Sequence, residues 1–324
     1  MTTRRRALQC LATGAATIGA GRALAQDDKS TVTVLVGAAT TMDATARMVA
    51  EQLREALGRP VVTVSKLGAG GRLALGELRR AAPDGRTLMV STSSVFAIYP
   101  NIYSKLDYDP VADFTPIAGV SWFDVALATG PGTGATDLAG LLAWARAKGP
   151  EVLYGAAPGN GSSSHFAGIA LSLASGVPLN MVPYKDSVVG IGDVITGRLP
   201  MLITGTGALT EMHKAGRLRL LATSGTARTP LVNDVPTFRE AGVDVAIVNS
   251  VGLYGPAKLP ADIVTRLAAA VNTMLANPEQ RARLMAMGMT PAPATASQLA
   301  ASLAADRRHF ELLVKKSGYQ PEAS

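Results

Sequence analysis

The sequence predicts an α/β protein of two doubly wound lobes joined by hinge strands, with a ligand cleft between them. Three observations carry this. Short apolar runs of strand length alternate with helical patterns along most of the chain, the mark of sheets with helices on both faces. Two extended apolar runs, Thr115–Thr129 and Val245–Tyr254, bracket a central α/β segment. Gly-, Ser- and Thr-rich turns fall where strands end and helices begin, the place where open α/β sheets bind ligands. The boundaries follow: residues 26–124 with 250–324 form one lobe, and 125–249 an inserted second lobe.

The 324 residues, 48% hydrophobic, suffice for two lobes of ordinary size. Thr3-Arg4-Arg5-Arg6-Ala7-Leu8-Gln9 resembles a twin-arginine export signal. A Gly/Ala-rich stretch follows to Gly21, too short to span a bilayer, and Ala23-Leu24-Ala25 fits a cleavage site before Gln26. Residues 1–25 are therefore read as a removed leader, and the mature chain as periplasmic. Its loss takes Arg4, Arg5, Arg6 and Arg22 and lowers the formal charge from +7 to +3. No Lys/Arg block stands beside aromatics, so nucleic acid is not an expected partner. Cys10, the single cysteine, lies in the leader, which excludes disulfides and thiolate chemistry from the mature chain.

In chain order, Thr31–Val36 reads as a buried strand, Gly37–Asp43 as a turn and Asp43–Leu57 as a helix ended by Gly58. Strand Val61–Val64, the turn Gly68–Gly71, helix Leu73–Ala82, strand Thr87–Ser91 and helix Ser94–Tyr103 follow. Asp107–Asp113 is a connector into the first extended run. Thr136 or Asp137 caps a helix ending at Gly149. Strand Val152–Tyr154, helix Ser163–Ser175, strand Asn180–Val182, helix Ser187–Thr196, strand Met201–Thr204, helix Ala208–Ala215 and strand Leu218–Thr223 continue the alternation, predicting a largely parallel sheet. Pro236–Ala241 reads as a short helix. After the second run come helices Ala261–Leu275 and Pro278–Met287, a break at Pro291-Ala292-Pro293, and helix Ala296–Lys316.

The stretch Tyr154–Phe166, YGAAPGNGSSSHF, holds the strongest chemistry. A Gly/Ser-rich turn into a helix presents N–H groups and hydroxyls at the positive end of the helix dipole, an anion site. The same residues also serve as a plain helix cap. His165 reads as a helix-start residue whose ring supports the loop, or as a ligand contact. Tyr184-Lys185 offers charge recognition or a solvated turn. His165, His213 and His309 have no second His or Cys at metal-ligand spacing, so no metal is expected. No G-x-S-x-G elbow, G-x-G-x-x-G loop or Walker motif is present, so no catalytic set and no cofactor are expected.

The chain resembles the periplasmic receptors of tripartite tricarboxylate transporters, the Bug receptors. The likeness rests on Gly68-Ala69-Gly70-Gly71, Ala81-Ala82-Pro83-Asp84-Gly85, Tyr108-Asp109-Pro110 with Asp113-Phe114, Gly159-Asn160-Gly161-Ser162 with His165, Val182-Pro183-Tyr184-Lys185, and Asp234-Val235-Pro236-Thr237 with Glu240-Ala241-Gly242. It implies a type II periplasmic-binding-protein fold, capture of a small carboxylate between the lobes, and delivery to inner-membrane transporter subunits by a monomer. It implies ligand contacts at Thr40, Thr41, Asp43, Ser93, Ser94, Asn160, Gly161, Ser162, Ser163, Tyr184 and Gly205. Asp43 is read first as an N-cap that orders its loop. The family's first loop carries two glycines that are absent between Gly37 and Asp43 here. Gly205 stands where many members have an Asp that meets a ligand amino group, so a dicarboxylate, tricarboxylate or aromatic acid without an ammonium is expected. A sensor docked on a membrane signalling protein and a secreted enzyme on the same fold are the competing readings.

Overall fold

A computed structural model describes residues 30–38 and 41–321. The leader, its cleavage site and Thr40 lie outside the described residues.

The chain runs β1 (Val32–Val36), α1 (Thr41–Leu57), β2 (Val61–Ser65), a 3-10 turn (Ala69–Gly71), α2 (Arg72–Arg80), β3 (Thr87–Thr92), α3 (Ser94–Ala97) and α4 (Tyr99–Ile102). A 16-residue strand, β4 (Phe114–Thr129), leads to α5 (Leu138–Lys148), β5 (Leu153–Ala156), α6 (Ser163–Ser175), β6 (Asn180–Pro183), α7 (Ser187–Ile195), β7 (Met201–Gly205), α8 (Thr206–Lys214) and β8 (Arg219–Thr223). Then come β9 (Val248–Pro256), α9 (Ala261–Ala276), α10 (Pro278–Ala286), β10 (Thr290–Ala294) and α11 (Ala296–Ser317).

The strands order as β2-β1-β3-β9-β4-β7-β5-β6, with β8 and β10 also on β4. Pairing is parallel at β1–β2, β1–β3, β5–β6 and β5–β7. It is antiparallel around the two extended runs, because they cross between the halves in opposite directions. Residues 114–124 of β4 pair with β9, and Val125–Thr129 pair with β7 and β8. One strand thus belongs to both halves of the sheet, and Asp124 is the residue at which it changes partners.

The elements form for local reasons. The apolar stripe of α1, with Met42, Ala46, Val49 and Leu53 buried, packs on β1, β2, β3 and α9. Asp137 rather than Thr136 caps α5, accepting the Gly140 N–H at 2.7 Å. Asp186 caps α7, and Thr295 with Gln298 makes a capping box on α11. Four buried clusters fill the interior. Two lie in the first half: one built on β1, α1 and α9, the other on Leu75, Phe96, Tyr108, Phe114 and Tyr254. One lies on the α7–α8 face of the second half. The fourth joins Ala97, Ile98 and Ile102 of the α3–α4 segment to Tyr154, Phe166 and Ile203 of the second half.

Four expectations change. Pro291-Ala292-Pro293 is not a break but lies within β10, on the outer flank of β4; an edge strand tolerates residues that cannot donate. Pro236–Ala241 is a run of turns with one bridge, Thr223 to Thr237, not a helix. Ser94–Tyr103 divides into two short helices where Pro100 interrupts the pattern. Helix α1 begins at Thr41, which places Asp43 inside its first turn and not at its N-cap.

Candidate ligand cleft

Register decides where the strand ends meet. The last residue of β3, Thr92, pairs with Val251 of β9, and the last residue of β7, Gly205, pairs with Val125 of β4. Ser121 pairs with Val251 and Asp124 with Val248. Both sets of helix-leading strand ends therefore converge on one short stretch of the β4–β9 pair. Contact across the halves is direct: a Cβ on Gly161 would stand 2.4 Å from Cδ1 of Ile102, a space only glycine leaves open.

The loop after β5 is anchored from below and open above. Ser164 Oγ and Thr204 Oγ1 both donate to the Ala157 carbonyl, at 2.9 and 2.8 Å. Ser162 is the N-cap of α6: its hydroxyl accepts the His165 N–H at 3.2 Å and donates to the Pro158 carbonyl. Gly161 turns the chain with φ 71°, and its N–H donates to His165 Nδ1 at 3.3 Å. What remains open is the backbone N–H of Asn160, Ser163 and Ser164, the Ser163 hydroxyl and the exposed Asn160 carboxamide. None of these makes a hydrogen bond among the described residues. Five polar groups, most of them donors, at the start of a 13-residue helix with no acid in its first turn form a concentrated seat for an oxyanion.

Two other predicted turns lie beside it. Ser93 is buried, its hydroxyl accepting the Ser250 N–H at 3.2 Å, and Ser94 Oγ donates to Asn249 Oδ1 at 3.0 Å. Both hydroxyls fasten α3 to β9. Gly205 precedes α8 and borders open space, since a Cβ added there would meet no atom within 4 Å. Next to it, Asp124 Oδ1 accepts from Thr206 Oγ1 at 2.7 Å. Asp124 is 1% exposed, and its other oxygen has no partner among the described residues. Burial pushes its carboxyl up to about 6 against the hydrogen bond from Thr206. The Ser121, Thr223 and Ser250 hydroxyls and Asn249 Nδ2 are likewise buried without partners among the described residues. Asp124 is not among the residues the sequence points to; its one signal is a lone acid within an otherwise uncharged 16-residue strand.

Two predicted residues are committed elsewhere. Asp43 accepts from Ser65 Oγ at 2.7 Å and Arg47 Nε at 2.8 Å, bonds that hold its carboxyl below the usual range, Ser65 first. Tyr184 turns its hydroxyl to Asp193, donating at 2.8 Å, and burial with that carboxylate raises the phenol to about 12. Its ring lies under α7, while its backbone carbonyl borders the α6 loop, 3.6 Å from a would-be Cβ on Gly159. Thr41 opens α1 and makes no side-chain hydrogen bond among the described residues. Gly37, just after β1, lies in close backbone contact with Gly71, since a Cβ on Gly37 would fall 2.5 Å from Cα of Gly71. Tyr99 Oη donates to the Gly70 carbonyl at 3.0 Å, and Arg72 lies 4.3 Å over the Tyr103 ring. These aromatics stiffen the first-half wall and carry no signal in the sequence. His213 takes part elsewhere, with Nδ1 accepting the Leu220 N–H. A cavity of about 650 Å³ lies by His213, Arg217 and Thr129, at the far ends of β4 and β8. No group of three or more metal-ligating side chains occurs among the described residues.

A family model described as "Tripartite tricarboxylate transporter family receptor" matches residues 45–319. A UPF0065 protein of Bordetella bronchiseptica is 32% identical over 288 residues, covering 89% of this chain and 85% of its own length. Among solved structures, Rpa4515 of R. palustris with adipate superposes with TM-score 0.80 at 27% identity, over 90% of this chain and 98% of that one. MatC of Rhodopseudomonas palustris with bound malate gives 0.74 at 28% identity, over 88% and 98%.

Proposed function

The chain belongs to the tripartite tricarboxylate transporter family of receptors, and on that premise we propose that it captures a small organic carboxylate in the cleft. The ligand is a dicarboxylate, tricarboxylate or aromatic acid. Residues 26–124 with 250–324 act as one lobe and 125–249 as the other, and they close about β4 and β9. The chain works in the periplasm as a monomer, after its leader is removed near Ala25–Gln26, and delivers the acid to inner-membrane transporter subunits. It binds and does not transform its ligand.

The observation that carries this reading is the open set of donors at Asn160, Ser163 and Ser164. Each charge-assisted hydrogen bond from such a donor is worth roughly 1.5–3 kcal/mol. Two or three of them supply about 3–9 kcal/mol, so micromolar binding, about 8 kcal/mol net of the cost of association, also draws on water shed by the closing cleft and on further ligand contacts. The adipate and malate bound by the two Rhodopseudomonas relatives support the choice of acid. Titration calorimetry of the mature chain with adipate, malate, citrate and benzoate tests it. At least one acid is expected to bind with a Kd of roughly micromolar order, and mass spectrometry is expected to recover it unchanged. No heat from any of the four overturns the carboxylate reading.

A further inference from the structure

Helix α11 starts on one half of the sheet and finishes on the other. Leu299 and Leu303 pack with Phe96, Tyr108 and Tyr254 of the first half. Two turns later Phe310, Leu313 and Val314 pack with Tyr154 and Phe166 of the second. Beyond the left-handed Gly318, Tyr319 ends against the start of α6. Its ring centre lies 5.7 Å from that of His165, at 67°, and 5.7 Å from that of Phe166, at 57°. Phe310 adds a third contact, 5.7 Å from Phe166 at 73°.

His165 is the link between this aromatic group and the open donors. Its Nδ1 accepts the Gly161 N–H, its own N–H is capped by Ser162, and its carbonyl accepts Tyr154 Oη at 3.0 Å. An accepting Nδ1 carries no proton, so the neutral ring bears its proton on Nε2. The ring plane must also stay aligned with the Gly161 amide. The main-chain bonds fix where the His165 backbone sits, and two rings flank its imidazole: Phe166, 5.4 Å away at 35°, and Tyr319.

We propose that Tyr319 is a positioning residue for the ligand loop. Its ring holds the His165 imidazole in the orientation that keeps the Gly161 amide, and so aims the N–H groups of Asn160, Ser163 and Ser164. The consequence for affinity rests on the carboxylate reading above; the ordering of the loop does not. An aromatic contact of ordinary strength is worth about two- to tenfold in an equilibrium constant, and Tyr319 makes two.

Hydrogen exchange and ring nitrogen shifts, read by NMR on the whole ligand-free chain, test this. In Tyr319→Ala, exchange at the Gly161 amide is expected to rise about tenfold. The His165 ring nitrogens are expected to move toward a tautomer mixture. Amides of α11 near Leu299 and Leu303 are expected to stay as they are. Tyr319→Phe keeps the ring and is expected to stay within about threefold of the wild type. Leu312→Ala, at a 59% exposed position of the same helix, is expected to change nothing at Gly161. Should Tyr319→Ala not fold, Tyr319→Leu takes its place with the same expected rise. Unchanged Gly161 exchange in the Ala variant overturns the proposal. So does an equal rise throughout α6 and α11, or a Phe variant as impaired as the Ala variant. Calorimetry with malate and adipate on the same samples separates the two readings. Absence of binding with the expected exchange pattern fails the carboxylate reading alone.

Discussion

Helices α6 and α8 both begin where a strand of the second half ends at the cleft, yet their first turns are built in opposite ways. At α6 a serine caps the helix, the first turn holds no acid, and the N–H groups of Ser163 and Ser164 have no partner among the described residues. At α8 no side chain caps the helix; instead the carboxylate of Asp124 lies beside it, bonded to Thr206. The first end carries a partial positive charge with no acid in its first turn to offset it, and the second already has a negative charge beside it. Two helix ends side by side are thus not two equivalent anion sites. On the carboxylate reading, the α6 end is the one that suits the charge of the ligand, and the α8 end is the one that does not. Helix α1 resembles α8 in this respect, since Asp43 occupies its first turn.

Giving α6 an acid of its own breaks the contrast. Ser163→Asp places a carboxylate at the first residue of the helix, where it competes for the same N–H groups and repels the ligand. Affinity for whichever of the four acids binds is expected to fall at least ~100-fold, about 2.7 kcal/mol, in titration calorimetry. Ser163 is only 7% exposed, so the buried charge is also expected to lower the thermal midpoint, offset in part because acids suit helix starts. Retained affinity would move the ligand away from α6.

Removing the acid beside α8 sharpens it. Burial raises the Asp124 carboxyl from 3.8 to about 6, so the folded chain holds that proton more tightly than the unfolded chain. Stability from this group therefore grows as pH falls from above 6 to below 3.8. Above pH 6 the buried charge costs about 2–3 kcal/mol at about 1.4 kcal/mol per unit. Asp124→Asn keeps an acceptor for Thr206 without the charge. Urea unfolding is expected to show the variant more stable than wild type by about 2 kcal/mol at pH 8, with the gain gone by roughly pH 4. A gain equal at both pH values contradicts this.

The smallest effect is expected at α1. Asp43→Asn gives up charge-assisted bonds to Ser65 and Arg47 and is expected to lose about 1 kcal/mol at pH 7. Because those bonds lower the Asp43 carboxyl, its contribution is present at neutral pH and is lost as pH falls from the ordinary value of 3.8 down through the lowered one. Ligand affinity is expected to stay within about threefold, since the acid is braced within its own loop. A tenfold loss in calorimetry would make Asp43 a ligand contact after all.

Much of the fold was legible because strand length, helical spacing and caps are local properties. The alternation around Val32–Val36, Val61–Ser65 and Leu138–Lys148 needed only neighbouring residues. The two long apolar runs announced β4 and β9 because no other element length fits them. What escaped depends on distant partners. Pro291 and Pro293 look like breakers until β4 offers an edge on which their missing donors do not matter. The turn at Tyr184 was visible, but the direction of its hydroxyl is set by Asp193, nine residues on. For the α6 loop, cap and anion seat were alternatives in the sequence. The structure divides them between residues: Ser162 caps, while Asn160, Ser163 and Ser164 leave donors open. Asp124 stayed hidden because a single acid in a strand carries no spacing signal.

The contact between Gly37 and Gly71 has an evolutionary meaning. With 2.5 Å from a would-be Cβ at 37 to the Cα of 71, a side chain at Gly37 forces the two backbones apart, and Gly71 itself sits at φ 92°. Point mutation at either place is closed off by its neighbour's backbone or its own dihedral. Sequence drift at either position therefore parts the end of β1 from the start of α2, so this glycine pair is expected to persist while its surroundings change.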